Sequence, residues 1–237
     1  MSLLSLCPTA QAQEDEAIAL QPSGGSVSVP LNDQRILGVI PDYQTVRDSS
    51  EPVAPMSVKQ KWRLVWKESL DPFNIATSAL SSGFSQADNQ TPSYGVGARA
   101  YAQRFGAAVA DLTSQEVFSD GVLACLLHQD PRYFRMGPSH SFTRRVAYSL
   151  SRMVVTRTDS GNQAFNASGL GGMLLGIGMS NAYYPPGDRT GAVMVSRIGT
   201  SLFGGVTGNL MSEFWPDVQN RFFHRKHKKQ ESAGLAP

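Results

Sequence analysis

The run Ser168-Gly169-Leu170-Gly171-Gly172-Met173-Leu174-Leu175-Gly176-Ile177-Gly178-Met179-Ser180 carries small side chains every fourth residue, at Ser168, Gly172, Gly176 and Ser180. Residues four apart stack on one face of a helix, so this spacing draws a narrow groove along which a second backbone can approach closely. Three other stretches repeat the pattern: Ala79, Gly83 and Ala87; Ala98, Ala102, Gly106 and Ala110; and Ala192, Ser196, Thr200, Gly204, Gly208 and Ser212. Glycine inside a helix costs about 1 kcal/mol relative to alanine, and close packing offsets that cost. Gly172, Gly176, Gly204 and Gly208 are therefore the expected helix-packing residues.

On either side, helical periods and breakers divide the chain. Ser57 caps a helix through Trp62, Val65 and Trp66 to Leu70, and a second runs from Pro72 to Ala87, ahead of the Asp88-Asn89-Gln90-Thr91-Pro92-Ser93 cluster. A third spans Val96 to Leu112. A fourth spans Ser114 to His128, stopping short of Asp130-Pro131. The fifth sets Phe142, Val146, Leu150, Met153 and Val154 on one face. The sixth covers Asn166 to Tyr183 and the seventh Thr190 to Glu213, after which Trp215-Pro216-Asp217 opens a short last helix through Phe223. No strand pattern of comparable length appears in the body. The predicted fold is all-α: a compact bundle of about six to eight helices with Gly/Ala/Ser-lined contacts, preceded by an extended N-terminal arm. The sixth helix has the length to enter a bilayer, but its glycines supply little transfer energy and Arg197 sits well inside the seventh, which favours a buried hairpin.

Outside the helical domain, 57–224, the chain changes character. Residues 13–56 hold five prolines and Gly24-Gly25 and read as an extended or disordered arm, with a candidate strap at 35–43. Residues 225–237 read as a basic, disordered tail. Residues 1–12 pass through Leu3, Leu4 and Leu6 to Ala10-Gln11-Ala12, the ending of a signal peptide whose basic start is missing. That pattern predicts export, to the periplasm or the envelope membranes of a bacterium. Leu6 before Cys7 does not fit a lipoprotein anchor. The formal net charge is +2, with two basic and seven acidic residues before Ser57 and five basic against two acidic after Trp215, so nucleic acid is not an expected partner.

No catalytic, metal or nucleotide motif stands out. His128, Asp130 and Tyr133 form the densest set of proton-transfer side chains, and the plain alternative is that His128 and Asp130 end a helix while Tyr133 packs on the core. Gly137-Pro138-Ser139-His140-Ser141 with Ser151-Arg152 matches fragments of a lipid-phosphatase signature but lacks its glycine and its later histidine and aspartate. From Arg99 to Arg197 there are ten arginines and no lysine, six of them between Arg132 and Arg157. Arginine forks bind carboxylates and phosphates, so Arg132, Arg135, Arg145 and Arg152 are candidate anion ligands. The alternative pairs these arginines with Asp111, Glu116, Asp120, Asp130 and Asp159 between helices. Trp215, Phe222, Arg221, Arg225 and Lys226 compose a segment suited to an anionic membrane surface. His224 and His227 lie among lysines, without carboxylate support for a metal, and no cofactor is expected.

The phrases Arg35-Ile36-Leu37-Gly38-Val39-Ile40-Pro41, Asp71-Pro72-Phe73, His128 to Phe134, Thr156 to Gly161, Asn181-Ala182-Tyr183-Tyr184-Pro185 and Phe214-Trp215-Pro216-Asp217 are similar to those of an uncharacterised group of exported bacterial envelope proteins. The resemblance covers about residues 33 to 224; it implies one unit that includes the strap and an envelope location, and it assigns no residue a role. The expectation is a non-enzymatic structural or interaction protein of the bacterial cell envelope. The alternatives are a membrane-associated lipid or anion binder and a hydrolase or transferase centred on His128, Asp130 and Tyr133. The partner is open between a membrane surface and an envelope protein.

Overall fold

Ser57 starts the first helix, α1 (Val58–Ser69), with a reciprocal cap: its hydroxyl accepts the Gln60 N–H while the Gln60 side chain accepts the Ser57 N–H at 2.8 Å. Asp71 caps α2 (Pro72–Ala87) by accepting the Phe73 N–H, with Pro72 at the first helical position. The computed structural model describes residues 35–36, 38–47 and 53–233, with side chains as far as Arg221. The expected signal segment 1–12, the arm residues 13–34, the side chains of Phe222, Arg225 and Lys226, and those of His224 and His227 lie outside the described residues.

The body is all-α. Six helices of ten or more residues carry it: α1, α2, α3 (Ala98–Glu116), α5 (Phe142–Ser151), α6 (Ala167–Ser180) and α7 (Gly191–Ala233). α3 does not end near Leu112. It continues through a wide π-helical stretch, Val117–Leu123, into the short α4 (Ala124–Leu126), because no proline or glycine interrupts Leu112 to Asp120 and the wider turns absorb the change of face. α5 stops three residues short of Val154, and the β-branched run Val154-Val155-Thr156 enters strand geometry instead. α7 passes through Pro216 without a break and takes in both the expected last helix and the backbone of the basic tail to Ala233. Proline here removes one ladder bond; the nearby Glu213 carbonyl accepts Arg135 Nε at 2.7 Å and an Arg145 guanidinium nitrogen at 2.8 Å.

Short strands tie the periphery. β1 (Arg35–Ile36) and β2 (Ile40–Pro41) form a hairpin whose Gly38 takes φ +73°, and β3 (Thr45–Val46) pairs in parallel with β5 (Tyr133–Phe134). β4 (Gln129–Asp130), β6 (Val155–Thr158) and β7 (Gln163–Phe165) make a three-stranded antiparallel sheet. The strap is therefore seated, and it extends past Tyr43. Arg35 pairs with Asp71 at 2.6 Å, the buried Tyr43 hydroxyl donates to the same carboxylate at 2.6 Å, and Tyr43 packs with Met56 and Leu64. Lys61 is buried on α1. Its ammonium donates to the carbonyls of Ala124 and Gln129 and pairs with Asp159 at 2.8 Å, locking α1 to the start of α4, to β4 and to the β6–β7 turn.

The small-residue stripes divide sharply. On α6, a Cβ added at Gly172 would lie 2.3 Å from Ser119 Cα, and one at Gly176 3.0 Å from Gln115 Cα, so α6 rests on the backbone of α3 and its π-helical extension. Gly204 and Gly208 have nothing within 4 Å of an added Cβ, nor do Gly83 and Gly106. The contact expected of Gly204 and Gly208 is absent: α7 turns Gly205 against Met153, and an added Cβ at either of the other two would meet no atom. On α3 the buried face is Ala100, Arg104 and Ala107, one register away from the stripe. Among the described residues no helix is long and apolar enough to cross a membrane.

Candidate functional site

α6 lies antiparallel to α3, with Gly172 over Ser119 and Gly176 over Gln115. α2 and α7 stand on either side of this pair, and between the four helices lies a cavity of about 870 Å³. That volume falls within the usual range for small-molecule sites, about 300–1,000 Å³. Its walls are built from small side chains: Ser78, Ser82 and Ser85 on α2 and Ser196, Thr200 and Gly204 on α7. The bundle stays open here because these positions carry too little bulk to close it. On α6 the residues facing the cavity are Leu170, Met173 and Ile177, spaced along one helical face, so this wall is apolar.

The end of the cavity near Ser180 holds the charge. Arg104, 3% exposed, donates to the carbonyls of Thr91 at 2.8 Å and Gly95 at 3.0 Å and to Gln86 Oε1 at 3.5 Å; its Nε is buried without a partner. Arg197 donates to Ser180 Oγ at 2.6 Å and lies 3.5 Å from the Tyr184 ring centroid. Asp111 accepts the Tyr183 and Tyr184 hydroxyls at 2.5 and 2.7 Å. Burial raises the Asp111 carboxyl above the usual range despite these bonds, and burial also pushes both phenols up, the neighbouring carboxylate adding to it.

A second group of acids sits behind the opposite end. Glu116 lines the cavity and accepts the Ser69 hydroxyl, while Gln44 of the strap donates to Glu68 at 2.6 Å and to Asp120 at 2.8 Å. Burial lifts the Glu116 carboxyl to about 7 and the Asp120 carboxyl to about 6. Glu68 is raised well above its ordinary value by burial and by the charges of Asp120 and Glu116. Among the described residues no group of three or more His, Cys, Asp or Glu side chains could hold a metal ion.

The residues singled out in the sequence are scattered. His128 is exposed at a turn with φ +52°, Asp130 is clasped by Arg132 at 2.5 Å, and the Tyr133 hydroxyl points to Ser149 and Glu213, both at 3.0 Å. These three do not form one site. The arginines meet carboxylates of the chain itself. Glu213 is fully buried and accepts Arg145 Nε at 2.7 Å, Tyr133, and the N–H groups of Met136 and Gly137. Asp217 pairs with Arg135 and, at 2.6 Å, with Arg145. Burial opposes ionisation of Asp217, but the two arginines outweigh it and hold its carboxyl below the ordinary value. Arg152 donates to Gln163 and lies 4.7 Å from the Tyr148 ring centroid. Of the segment beginning at Trp215, the Trp215 indole is half-buried and Arg221 is exposed on α7.

Sequence reasoning missed Arg104, Asp111, Tyr184 and Arg197 as a group. The available signal was the alternation of small and bulky residues on α2 and α7, which marks space as readily as contact. No protein-family model, curated protein or solved structure matches this chain.

Proposed function

We propose that this protein is a non-enzymatic interaction module of the bacterial cell envelope that holds a small guest in the cavity between α2, α3, α6 and α7. The observation that carries this reading is the cavity itself: about 870 Å³, with an apolar wall on α6 and polar side chains gathered at one end. The space opens to solvent between well-formed helices, and its volume suits a small molecule entering from outside. The separation of His128, Asp130 and Tyr133 speaks against a hydrolase or transferase centred on these three, since proton transfer needs groups within hydrogen-bond reach of one another or of one substrate. The envelope location rests on the leader-like residues 1–12 and on the resemblance drawn from the sequence.

The uncharged dye Nile red tests the cavity. Gly204 lines it, and an added Cβ there meets nothing, so Gly204→Trp fills the space without forcing the helices apart. The parent chain is expected to bind the dye saturably with a blue shift, and Gly204→Trp to lose that binding while keeping its thermal midpoint. Equal dye binding by both proteins would overturn the reading. Fractionation of the native host tests the location; recovery in the cytosol would contradict it.

A further inference from the structure

The geometry points to an anionic amphiphile as the guest, its carboxylate or phosphate head held at Arg197 with Arg104 behind it and its aliphatic chain lying along Ile177, Met173 and Leu170. This rests on the cavity reading above and adds the chemistry of the guest. Two observations support it independently. The first is charge: among the described residues neither Arg104 nor Arg197 forms a salt bridge, while Arg132, Arg135 and Arg145 each pair with a carboxylate. Arg104 is nearly inaccessible, donates only to neutral oxygens and keeps a buried Nε unpartnered. A buried cation lacking a counter-charge is costly, and an oxyanion in the cavity relieves that cost.

Burial raises the Asp111 carboxyl and attraction to Arg197 through space works against that rise, but its oxygens accept the Tyr183 and Tyr184 hydroxyls and it forms no salt bridge with either arginine. Arg197 is laid flat on Tyr184 by stacking and fixed through one nitrogen to Ser180, which leaves the rest of its planar fork for a bidentate oxyanion.

The second observation is the polarity gradient along α6. Arg197 meets this helix at its last residue, Ser180, whereas Gly205, two turns further along α7, meets Met153, whose carbonyl accepts from Asn166 at the start of α6. The cavity thus runs the length of α6, about 20 Å at 1.5 Å per residue. Cationic side chains stand at one end, and Ile177, Met173, Leu170 and Met153 follow in order toward the other. A free phosphate or a small carboxylate uses only the first part of this surface; an uncharged chain uses only the second.

Calorimetric titration of the full chain with dodecyl phosphate, dodecanoate, dodecanol and inorganic phosphate separates these cases. Both anionic amphiphiles are expected to bind and to displace Nile red. Arg197→Gln is expected to weaken them at least about tenfold, as for loss of a desolvated charge pair, with Arg197→Lys recovering part of the loss and dodecanol unaffected by either. Thr200→Glu places a carboxylate one turn from Arg197 on the cavity wall, and it is expected to weaken the anionic amphiphiles alone even where Arg197→Gln fails to fold. Dodecanol binding as tightly as dodecyl phosphate, with neither variant discriminating between them, would overturn the anionic head and leave the cavity reading standing. Inorganic phosphate binding as tightly as dodecyl phosphate would overturn the aliphatic chain. Failure of every amphiphile to displace Nile red, or of the dye to bind, would remove the cavity reading itself.

Discussion

α6 and α7 both carry small residues at every fourth position, yet α6 is fastened by shape and α7 by charge. Gly172 and Gly176 let α6 sink onto the main chain of Ser119 and Gln115, where an added Cβ would collide. α7 leaves Gly204 and Gly208 without a packed neighbour, and is pinned at Glu213 and Asp217 by Arg135 and Arg145. The lesson is that fourfold spacing of small residues states where bulk is missing. Whether the missing bulk becomes a contact or a cavity depends on what the rest of the fold brings opposite, and opposite α7 it brings the equally small face of α2.

The largest effect is expected where the charge fastening is removed. Glu213→Ala takes from Arg145 one of its two carboxylate partners and removes the acceptor of Tyr133 and of two backbone N–H groups in a buried site, so denaturant unfolding should show a loss of about 3–5 kcal/mol. An unchanged midpoint would mean that α7 is held elsewhere. Next comes the shape fastening. Gly172→Leu drives a branched side chain into the Ser119 backbone and should cost about 3 kcal/mol or more, whereas Gly204→Leu should unfold at nearly the parent midpoint.

Acid should act in opposite senses on two sets of carboxylates, the buried cluster near the strap and those paired with arginine. Glu68, Glu116 and Asp120 have native pKa values raised above those of the unfolded chain, so they bind protons more tightly in the native state. Their contribution is fully present below the unfolded carboxylate range and is lost as pH rises through about 6 to 7. Lowering the pH from about 8 to about 5 should therefore raise the thermal midpoint, and Glu116→Gln should flatten that rise. Asp217 and Asp71 have lowered pKa values, burial being outweighed by their arginine partners and, for Asp71, by the Tyr43 hydroxyl as well. Their contribution is present above the unfolded value and disappears as pH falls through the lowered ones, below about pH 4. A midpoint that falls steadily from neutral pH downward would contradict this ordering.

Much of the helical frame was legible because its ends are written locally. Ser57 with Gln60 and Asp71-Pro72 define the starts of α1 and α2, and the Asp88 to Ser93 cluster ends α2 at Ala87. The continuity of α3 into the π-helical stretch was not legible, since that stretch includes Gly121, over which Trp62 of α1 packs so closely that an added Cβ would lie 3.1 Å from its ring. Nor was the passage of α7 through Pro216, where arginines from Arg135 and α5 take the Glu213 carbonyl.

The arginine bias was visible in the sequence, but of the five acids expected to pair with these arginines between helices only Asp130 holds one, Arg132 two residues on, while Asp159 holds Lys61. The main acceptors, Glu213 and Asp217, lie about 70 to 80 residues away along the chain, and no spacing rule reaches that far. The cavity end was hidden for the same reason, since Arg104 and Asp111 come from α3, Tyr184 from the turn after α6 and Arg197 from α7.

A single substitution made at two places tests the distinction between the helices most directly. Alanine at Gly204 gains helix propensity without meeting any atom and should raise stability by about 0.5–1 kcal/mol. Alanine at Gly172 gains the same propensity but sets its Cβ against the Ser119 backbone, so the net effect should be a clear loss. Thermal unfolding of Gly172→Ala beside Gly204→Ala should thus show midpoints displaced in opposite directions from the parent. Two midpoints raised alike would mean that α6 does not rest on the α3 backbone; two lowered alike would mean that the outer face of α7 is packed rather than open.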